Sequence, residues 1–449
     1  MKVLLVSTNR HIEPYPVYPI GLDYVAGAIT GNHQVKIADM NEFLNPSSLE
    51  VMAKDFGADV IGISLRNIDT ADTTDPKGFV AQCREVAGIL KKSSHAILVC
   101  GGSGFTVFPE EILNAVEADY GIIGEGERFS LFLDALERGA DISDIPGVIT
   151  RSSPKPIPDP WNQALVRNFQ KERSHLQFYL NKGGMLNLQT KRGCNFNCIY
   201  CSYPHIEGKT LRFIPPEEVA ETALTLQEAG AKYLFITDSA FNSDVPQSIA
   251  VAQAFKKAGL SIPWGAFLAP LKVPGNYFRI MADAGMTHVE FGTESLSDTM
   301  LATYRKPFLF DHVCEAHNNA VDAGLHVAHY FLLGGPNESL DTLNETFSNV
   351  SKLKKSVFFF FCGVRVYPHT ELYDIALTEG TLSASPDILN PIFYCSKFID
   401  NHEIVRFAKE QAKGHLNWLI GSGGEKIAKI VSRMHDRGYT GPLWEFLIQ

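Results

Sequence analysis

The chain has 449 residues, of which 45% are hydrophobic and 20% charged, the composition of an ordinary soluble globular protein of two or three domains. That excludes a peptide hormone, a lone zinc module and a mainly disordered chain. Forty Lys and Arg against 50 Asp and Glu leave a net charge of −10, so the diffuse positive field that binds bulk nucleic acid is missing.

The first strand expected, Lys2–Ser7, follows the initiating Met1, and its apolar run is too short for the hydrophobic region of a signal peptide. No later segment approaches the roughly 20 apolar residues that span a bilayer, so a cytoplasmic protein without a membrane anchor is expected. Further strands are predicted at Val35–Asp39, Val60–Ser64, Ala96–Val99 and Tyr120–Ile123. Amphipathic helices are predicted near Leu22–Ile29, Phe79–Leu90, Pro109–Val116 and Phe129–Leu136. Strands separated by helices at this interval imply an α/β fold with a doubly wound parallel sheet over residues 1–150.

Residues 151–183 are rich in proline at their start and lack a clear period, which reads as a linker. From residue 184 to about 379 strand-like runs return at Met185–Thr190, Tyr233–Thr237, Trp264–Ala269, His288–Gly292, Val327–Leu333 and Val357–Tyr367. Six such units suggest a partial parallel barrel. Residues 380–449, with amphipathic Glu403–Leu419 and Glu425–Met434, read as a mainly helical C-terminal cap.

Five of the eight cysteines are scattered, whereas Cys194, Cys198 and Cys201 fall within eight residues of Lys191-Arg192-Gly193-Cys194-Asn195-Phe196-Asn197-Cys198-Ile199-Tyr200-Cys201. A cytosolic cluster of this kind points to metal binding or catalysis rather than disulfides. A structural zinc site wants four ligands, usually as two separated pairs, and no second pair follows. Three closely spaced thiolates after a barrel strand suit a [4Fe-4S] cluster with one iron left open to a ligand.

Cys-x-x-x-Cys-x-x-Cys with an aromatic residue before the last cysteine resembles the motif of the radical S-adenosylmethionine (SAM) superfamily. The resemblance implies that Cys194, Cys198 and Cys201 hold a [4Fe-4S] cluster whose open iron chelates SAM, and that one electron then cleaves a carbon–sulfur bond of SAM. It extends to Thr237-Asp238-Ser239 after the second barrel strand, to Phe291-Gly292-Thr293-Glu294-Ser295 after the fourth, and to Leu333-Gly334-Gly335-Pro336-Asn337-Glu338 after the fifth. By resemblance Tyr200, Asp238, Glu294, Ser295 and Gly334 contact SAM. His329, on the fifth strand, has two readings: a satisfied core histidine, which is the commoner outcome, or a side chain that points into the barrel.

Ligands of open parallel sheets lie beyond the carboxyl ends of the strands. The corresponding loops contain Arg66-Asn67-Ile68-Asp69, Gly101-Gly102-Ser103 and Gly124-Glu125-Gly126-Glu127. Placed before a radical SAM barrel, this region resembles the cobalamin-binding domain of the superfamily's cobalamin-dependent branch. That implies cobalamin contacts from Arg66, Asn67, Asp69, Gly101, Gly102, Ser103, Glu125, Gly126 and Glu127. The Asp-x-His-x-x-Gly motif that supplies an axial histidine in other cobalamin proteins is absent from the sequence.

The function these resemblances imply is a methyltransferase acting on an unactivated carbon or phosphorus centre of a small molecule, reduced by a donor such as flavodoxin or ferredoxin. A second reading leaves the first domain empty or structural, with the barrel catalysing a rearrangement or 3-amino-3-carboxypropyl transfer. A third, from another class, is a noncatalytic cobalamin carrier or iron–sulfur electron carrier. The catalytic acid or base is not identifiable from the sequence.

Overall fold

The computed structural model describes residues 1–12, 15–43, 45–153, 156–383, 386–387, 389–421 and 423–448. Residues 154–155 of the predicted linker and 384–385, 388, 422 and 449 of the predicted cap lie outside the described residues.

The first half is built on strands β1 (Lys2–Ser7), β2 (Gln34–Asp39), β3 (Val60–Ser64), β4 (Ile97–Gly101), β5 (Tyr120–Ile122) and β6 (Val148–Ile149). Their order is β2-β1-β3-β4-β5-β6, parallel except for β6. Strands buried on both faces must be apolar throughout, as Val3–Val6 and Val60–Ile63 are. The chain leaves β1 toward β2 on one side and returns to β3 on the other, which opens a crevice beyond the carboxyl ends of β1 and β3.

Helix Pro46–Phe56, absent from the sequence-based expectations, is started by Asn45, whose side chain accepts a hydrogen bond from Ser48 N at 3.2 Å, and is ended by left-handed Gly57. Among the residues whose burial is described it buries Leu49 and Ala53 completely, too narrow a stripe to stand out as a period.

The second half carries β7 (Met185–Leu188), β8 (Lys191–Arg192), β9 (Arg212–Phe213), β10 (Tyr233–Ile236), β11 (Trp264–Leu268), β12 (Met286–Glu294), β13 (His326–Leu333), β14 (Ser356–Cys362), β15 (Val364–Arg365), β16 (Phe393–Tyr394) and β17 (Trp418–Ile420). Seven form one parallel sheet in the order β17-β14-β13-β12-β11-β10-β7. The six predicted strands are present, and a seventh differs from expectation. Trp418–Ile420, at the end of a run read as helical, pairs with Phe358–Phe360. Helix Asn401–Gln411 stops short of it.

Side chains on one face of this sheet, including Leu186, Leu234, Ala266, Val289 and Val327, pack under the surrounding helices. His329 belongs to that outward set. Its Nδ1 lies 2.7 Å from Thr293 Oγ1 and its Nε2 lies 3.0 Å from His317 Nδ1, on helix Phe310–Asp322. It is the satisfied core histidine of the two readings and not an inward-pointing one, because the two-residue alternation of β13 gives the inner face to Tyr330.

Candidate active site between the two sheets

The halves are joined by buried polar contacts. Tyr179 donates to Asp39 Oδ2 at 2.5 Å, Thr73 donates to the Cys362 carbonyl at 2.6 Å, and Arg365 Nε pairs with Asp69 Oδ2 at 2.8 Å. Arg192, at the start of the cysteine loop, reaches Glu125 Oε1 and Glu127 Oε1, each at 2.7 Å. Arg212 reaches both oxygens of Glu125, at 2.8 and 2.9 Å.

Three of the residues expected to touch cobalamin thus have other work. Asp69 is fully buried, lies outside the lining of the cleft described below, and accepts from Arg365 and from Ala71 N. It forms a strut between the halves. The Glu125 and Glu127 carboxylates turn away from the first sheet toward the two arginines, because buried guanidinium charges must be paired. Residues 124–127 nonetheless line the cleft.

The remaining expected residues do converge. Arg66, Asn67, Gly101, Gly102, Ser103 and Gly124–Glu127 line one cleft with about 1610 Å³ of empty space, including its open mouth. Its inner wall takes alternate residues of one sheet face, Leu5 and Ser7, Gly62 and Ser64, Val99 and Gly101, facing Leu22, Val25 and Phe129 across the gap. A slot therefore runs from the crevice into the first half. At Gly102, with φ of 106°, a Cβ would come within 2.5 Å of the Leu65 carbonyl oxygen, so only glycine lets these two loops lie together. Ser103 Oγ, donating to the Arg66 carbonyl at 2.8 Å, welds the same loops. Among the described residues no histidine lines the cleft. Its outer rim is formed by Gln189, Arg192, Tyr203, Ile206, Glu207 and Thr237 of the second half.

The cysteine loop forms that rim. Gly193, with φ of 90°, sits where a Cβ would lie 2.3 Å from the Thr210 carbonyl oxygen, and its N–H donates to Glu207 Oε2 at 3.0 Å. The loop is held further by Ile199 N donating to the Tyr304 carbonyl and Leu372 N to the Ile199 carbonyl. Cys194 is buried and Cys198 and Cys201 are half-buried, all as free thiols. Burial pushes the Cys201 thiol up to about 12 and raises that of Cys198. Among the described residues no group of three or more His, Cys, Asp or Glu side chains converges on a single ion.

Asp238 lies buried at the base of the cysteine loop. Its Oδ1 accepts from Thr190 N at 2.8 Å, and its Oδ2 accepts from Thr190 Oγ1 at 2.5 Å and Lys191 Nζ at 3.0 Å. With both oxygens engaged in these buried bonds, it anchors the base of the cysteine loop. Ser295 is likewise buried, 2.9 Å from Thr346 Oγ1 and accepting from Ser297 N. These bonds close the turn that follows β12. Gly334, with φ of 101°, donates its N–H to Glu338 Oε2 at 3.0 Å.

Glu294 is different. A register shift between Gly292 and Glu294, and a φ of 58°, re-aim the end of β12. The Glu294 Oε1 accepts from Tyr200 OH at 2.6 Å and pairs with Lys306 Nζ at 3.0 Å, while its buried Oε2 has no hydrogen-bond partner among the described residues. Lys306 Nζ also lies 3.6 Å from Cys198 Sγ and 3.2 Å from Tyr200 OH. Lys306 was not among the expected residues, and no motif marks it. An unpaired buried acceptor and a buried cation beside the cysteine loop are the groups needed to receive an amino acid's ammonium and carboxylate.

Family models agree with this two-part geometry. Residues 13–131 match a B12 binding domain and residues 188–350 match the radical SAM superfamily. The chain belongs to the radical SAM superfamily, in its cobalamin-binding branch. It is an enzyme whose cofactors are a [4Fe-4S] cluster, SAM and cobalamin.

This radical SAM protein is 28% identical to an uncharacterised methyltransferase of Pyrococcus horikoshii, over 85% of this chain and 84% of the relative. It is 24% identical to cytidylyl-2-hydroxyethylphosphonate methyltransferase of Streptomyces wedmorensis, over 98% and 91% of the two chains. Its fold is shared with the radical SAM methyltransferase TsrM of Kitasatospora setae, solved with tryptophan and a SAM analogue, at a TM-score of 0.87 and 19% identity over 99% of this chain and 97% of that one. Among the described residues no helix is long and apolar enough to cross a membrane.

Proposed function

We propose that this chain is a methyltransferase that takes methyl groups from SAM, carries them on cobalamin and delivers them to a carbon or phosphorus centre of a small molecule. The observation that carries the reading is the shared cleft. The slot of the first sheet opens onto Arg192, Tyr203 and Glu207 of the cysteine loop, so one ligand can touch both halves. Relatives named as methyltransferases along most of the chain support it.

Cys194, Cys198 and Cys201 would hold the cluster, which supplies an electron to SAM, while cobalamin supplies the methyl carrier. Glu294 Oε2 would accept the SAM ammonium and Lys306 would meet its carboxylate. Tyr200 keeps the Glu294 carboxylate aligned. Gly101–Ser103 and Gly124–Glu127, with Arg66 and Asn67, would cradle the corrin and its tail. Electrons would come from a flavodoxin or ferredoxin.

The test is anaerobic reconstitution with iron, sulfide and hydroxocobalamin, followed by incubation with methyl-labelled SAM and a low-potential reductant. Cobalamin should bind at micromolar concentration, and label should leave SAM only when it is bound. SAM cleavage with no cobalamin binding at tens of micromolar would overturn the reading in favour of an enzyme with a structural first half.

A further inference from the structure

At its end β12 carries one residue more than β13 beside it, and the extra residue is fastened by side chains that the proposed chemistry leaves unused. The register passes from Gly292 opposite Tyr330 to Glu294 opposite Phe331, so Thr293 is the added residue of a bulge. A bulge re-aims the side chains next to it. Here that side chain is Glu294, at a left-handed φ of 58° that a glutamate keeps only where its surroundings impose it. The restraint comes from the outer face of the sheet. Thr293 is buried, its Oγ1 lies 2.7 Å from His329 Nδ1, and its carbonyl accepts from Ser295 N at 2.7 Å. His329 Nε2 in turn lies 3.0 Å from His317 Nδ1, so three buried side chains form one chain across β12, β13 and helix Phe310–Asp322.

The hydrogens of this chain follow from its surroundings. His329 lies between the rings of Phe291 and Phe358, 5.4 and 5.8 Å away, and burial keeps both imidazoles below the usual histidine range, His317 at about 4. Each ring is therefore neutral at neutral pH, with one N–H and one bare nitrogen. The Lys354 carbonyl favours a proton on the His317 ring. With the His317 N–H directed at Lys354, His317 Nδ1 accepts from His329 Nε2, and His329 Nδ1 is left to accept from the Thr293 hydroxyl. That hydroxyl thus has a fixed acceptor, on a ring flanked by two aromatic neighbours.

Resting on the reading in which Glu294 receives the SAM ammonium, we infer that His329, backed by His317, is a positioning residue for SAM: as the acceptor of the Thr293 hydroxyl it locks the bulge that sets the Glu294 carboxylate. A histidine that merely fills the core could be exchanged for an apolar residue of similar size with no effect on a ligand of the opposite face. One that holds Thr293 could not.

Equilibrium dialysis of SAM against the anaerobic reconstituted holoenzyme tests this, with hydroxocobalamin affinity measured on the same samples. Thr293→Val keeps the shape and removes the hydroxyl, and His329→Leu fills the space without an acceptor. Each should weaken SAM binding about fivefold, the scale of one hydrogen bond, and leave cobalamin affinity unchanged, which reports that the variants are folded. His329→Asn, whose amide oxygen can stand where Nδ1 stands, should recover most of the loss. Because Thr293 acts through Glu294, Thr293→Val should cost nothing further in a Glu294→Gln background. SAM affinity unchanged in Thr293→Val and His329→Leu, His329→Asn as weak as His329→Leu, losses that add in the Thr293/Glu294 double variant, or cobalamin affinity falling in step with SAM would each overturn the inference. The Glu294→Gln single variant separates the failures. If it binds SAM as the unaltered protein does, the Glu294 reading fails and the inference with it; if it binds SAM weakly while Thr293→Val does not, only the positioning role is wrong.

Discussion

Glu125 was expected from its loop to contact cobalamin, and the structure makes it the hub between the halves, so Glu125→Gln separates the two roles. The substitution keeps the shape and removes the charge. Glu125 is 4% exposed and faces Arg192 at 2.7 Å and Arg212 at 2.8 Å. Removing one partner of a buried pair costs about 3–5 kcal/mol. Arg192 retains Glu127 at 2.7 Å, and Arg212 is partly exposed, so the lower end, about 3 kcal/mol, is the expected loss. The assay is urea unfolding of the cofactor-free protein followed by circular dichroism, in parallel with hydroxocobalamin titration. The midpoint should fall, and cobalamin affinity should weaken only as far as the halves separate. A stability change below about 0.5 kcal/mol together with a tenfold or greater loss of cobalamin affinity would refute the strut and return Glu125 to the ligand shell.

Replacing Cys194, Cys198 and Cys201 by Ala should abolish iron loading and SAM cleavage, and four-iron spectra surviving in the triple variant would refute the assignment. Glu294→Gln and Lys306→Met should each weaken SAM binding about tenfold, roughly 1.4 kcal/mol, in equilibrium dialysis against the reconstituted protein. Asp238→Ala should instead destabilise the fold by about 3 kcal/mol, since it strands buried Lys191; normal stability with lost SAM affinity would restore Asp238 to the site. Glu338, buried in the Gly-Gly-Pro turn, has its carboxyl raised to about 7 by burial. The folded state therefore holds this proton more tightly than the unfolded chain does, and stability should decline as pH climbs from about 4.5 to 7, by up to roughly 3 kcal/mol. Glu338→Gln should flatten that slope in pH-dependent unfolding.

What was legible in the sequence follows from what is encoded locally. Long apolar runs such as Val60–Ser64 and Val327–Leu333 announce buried parallel strands, and a three-cysteine spacing announces its chemistry without any fold. A three-residue strand such as Trp418–Ile420 has no period to read, and it continued a plausible helical pattern. Loop positions also say where a side chain starts but not where it ends. Asp238, Glu125 and Asp69 all stand at carboxyl ends of strands, as a ligand-binding residue should, yet each is drawn to a cation from an element distant in sequence: Lys191, Arg192 and Arg365. Lys306 is the converse case, an unremarkable lysine after Arg305 that only tertiary packing brings to Cys198 and Glu294.

The seventh strand has a consequence for how the molecule is made. Phe358–Phe360 gain their outer neighbour only from residues 418–420, and Glu290 gains its Trp444 partner still later in the chain. During synthesis, which exposes N-terminal segments first, the first sheet can close while β14 remains an edge of four consecutive phenylalanines. Such an edge is a template for aggregation until it is covered. Expression at low temperature, or with chaperones that hold the nascent chain, should therefore raise the soluble yield, and truncation before residue 418 should send the protein into the insoluble fraction even though every cysteine of the motif has already been made.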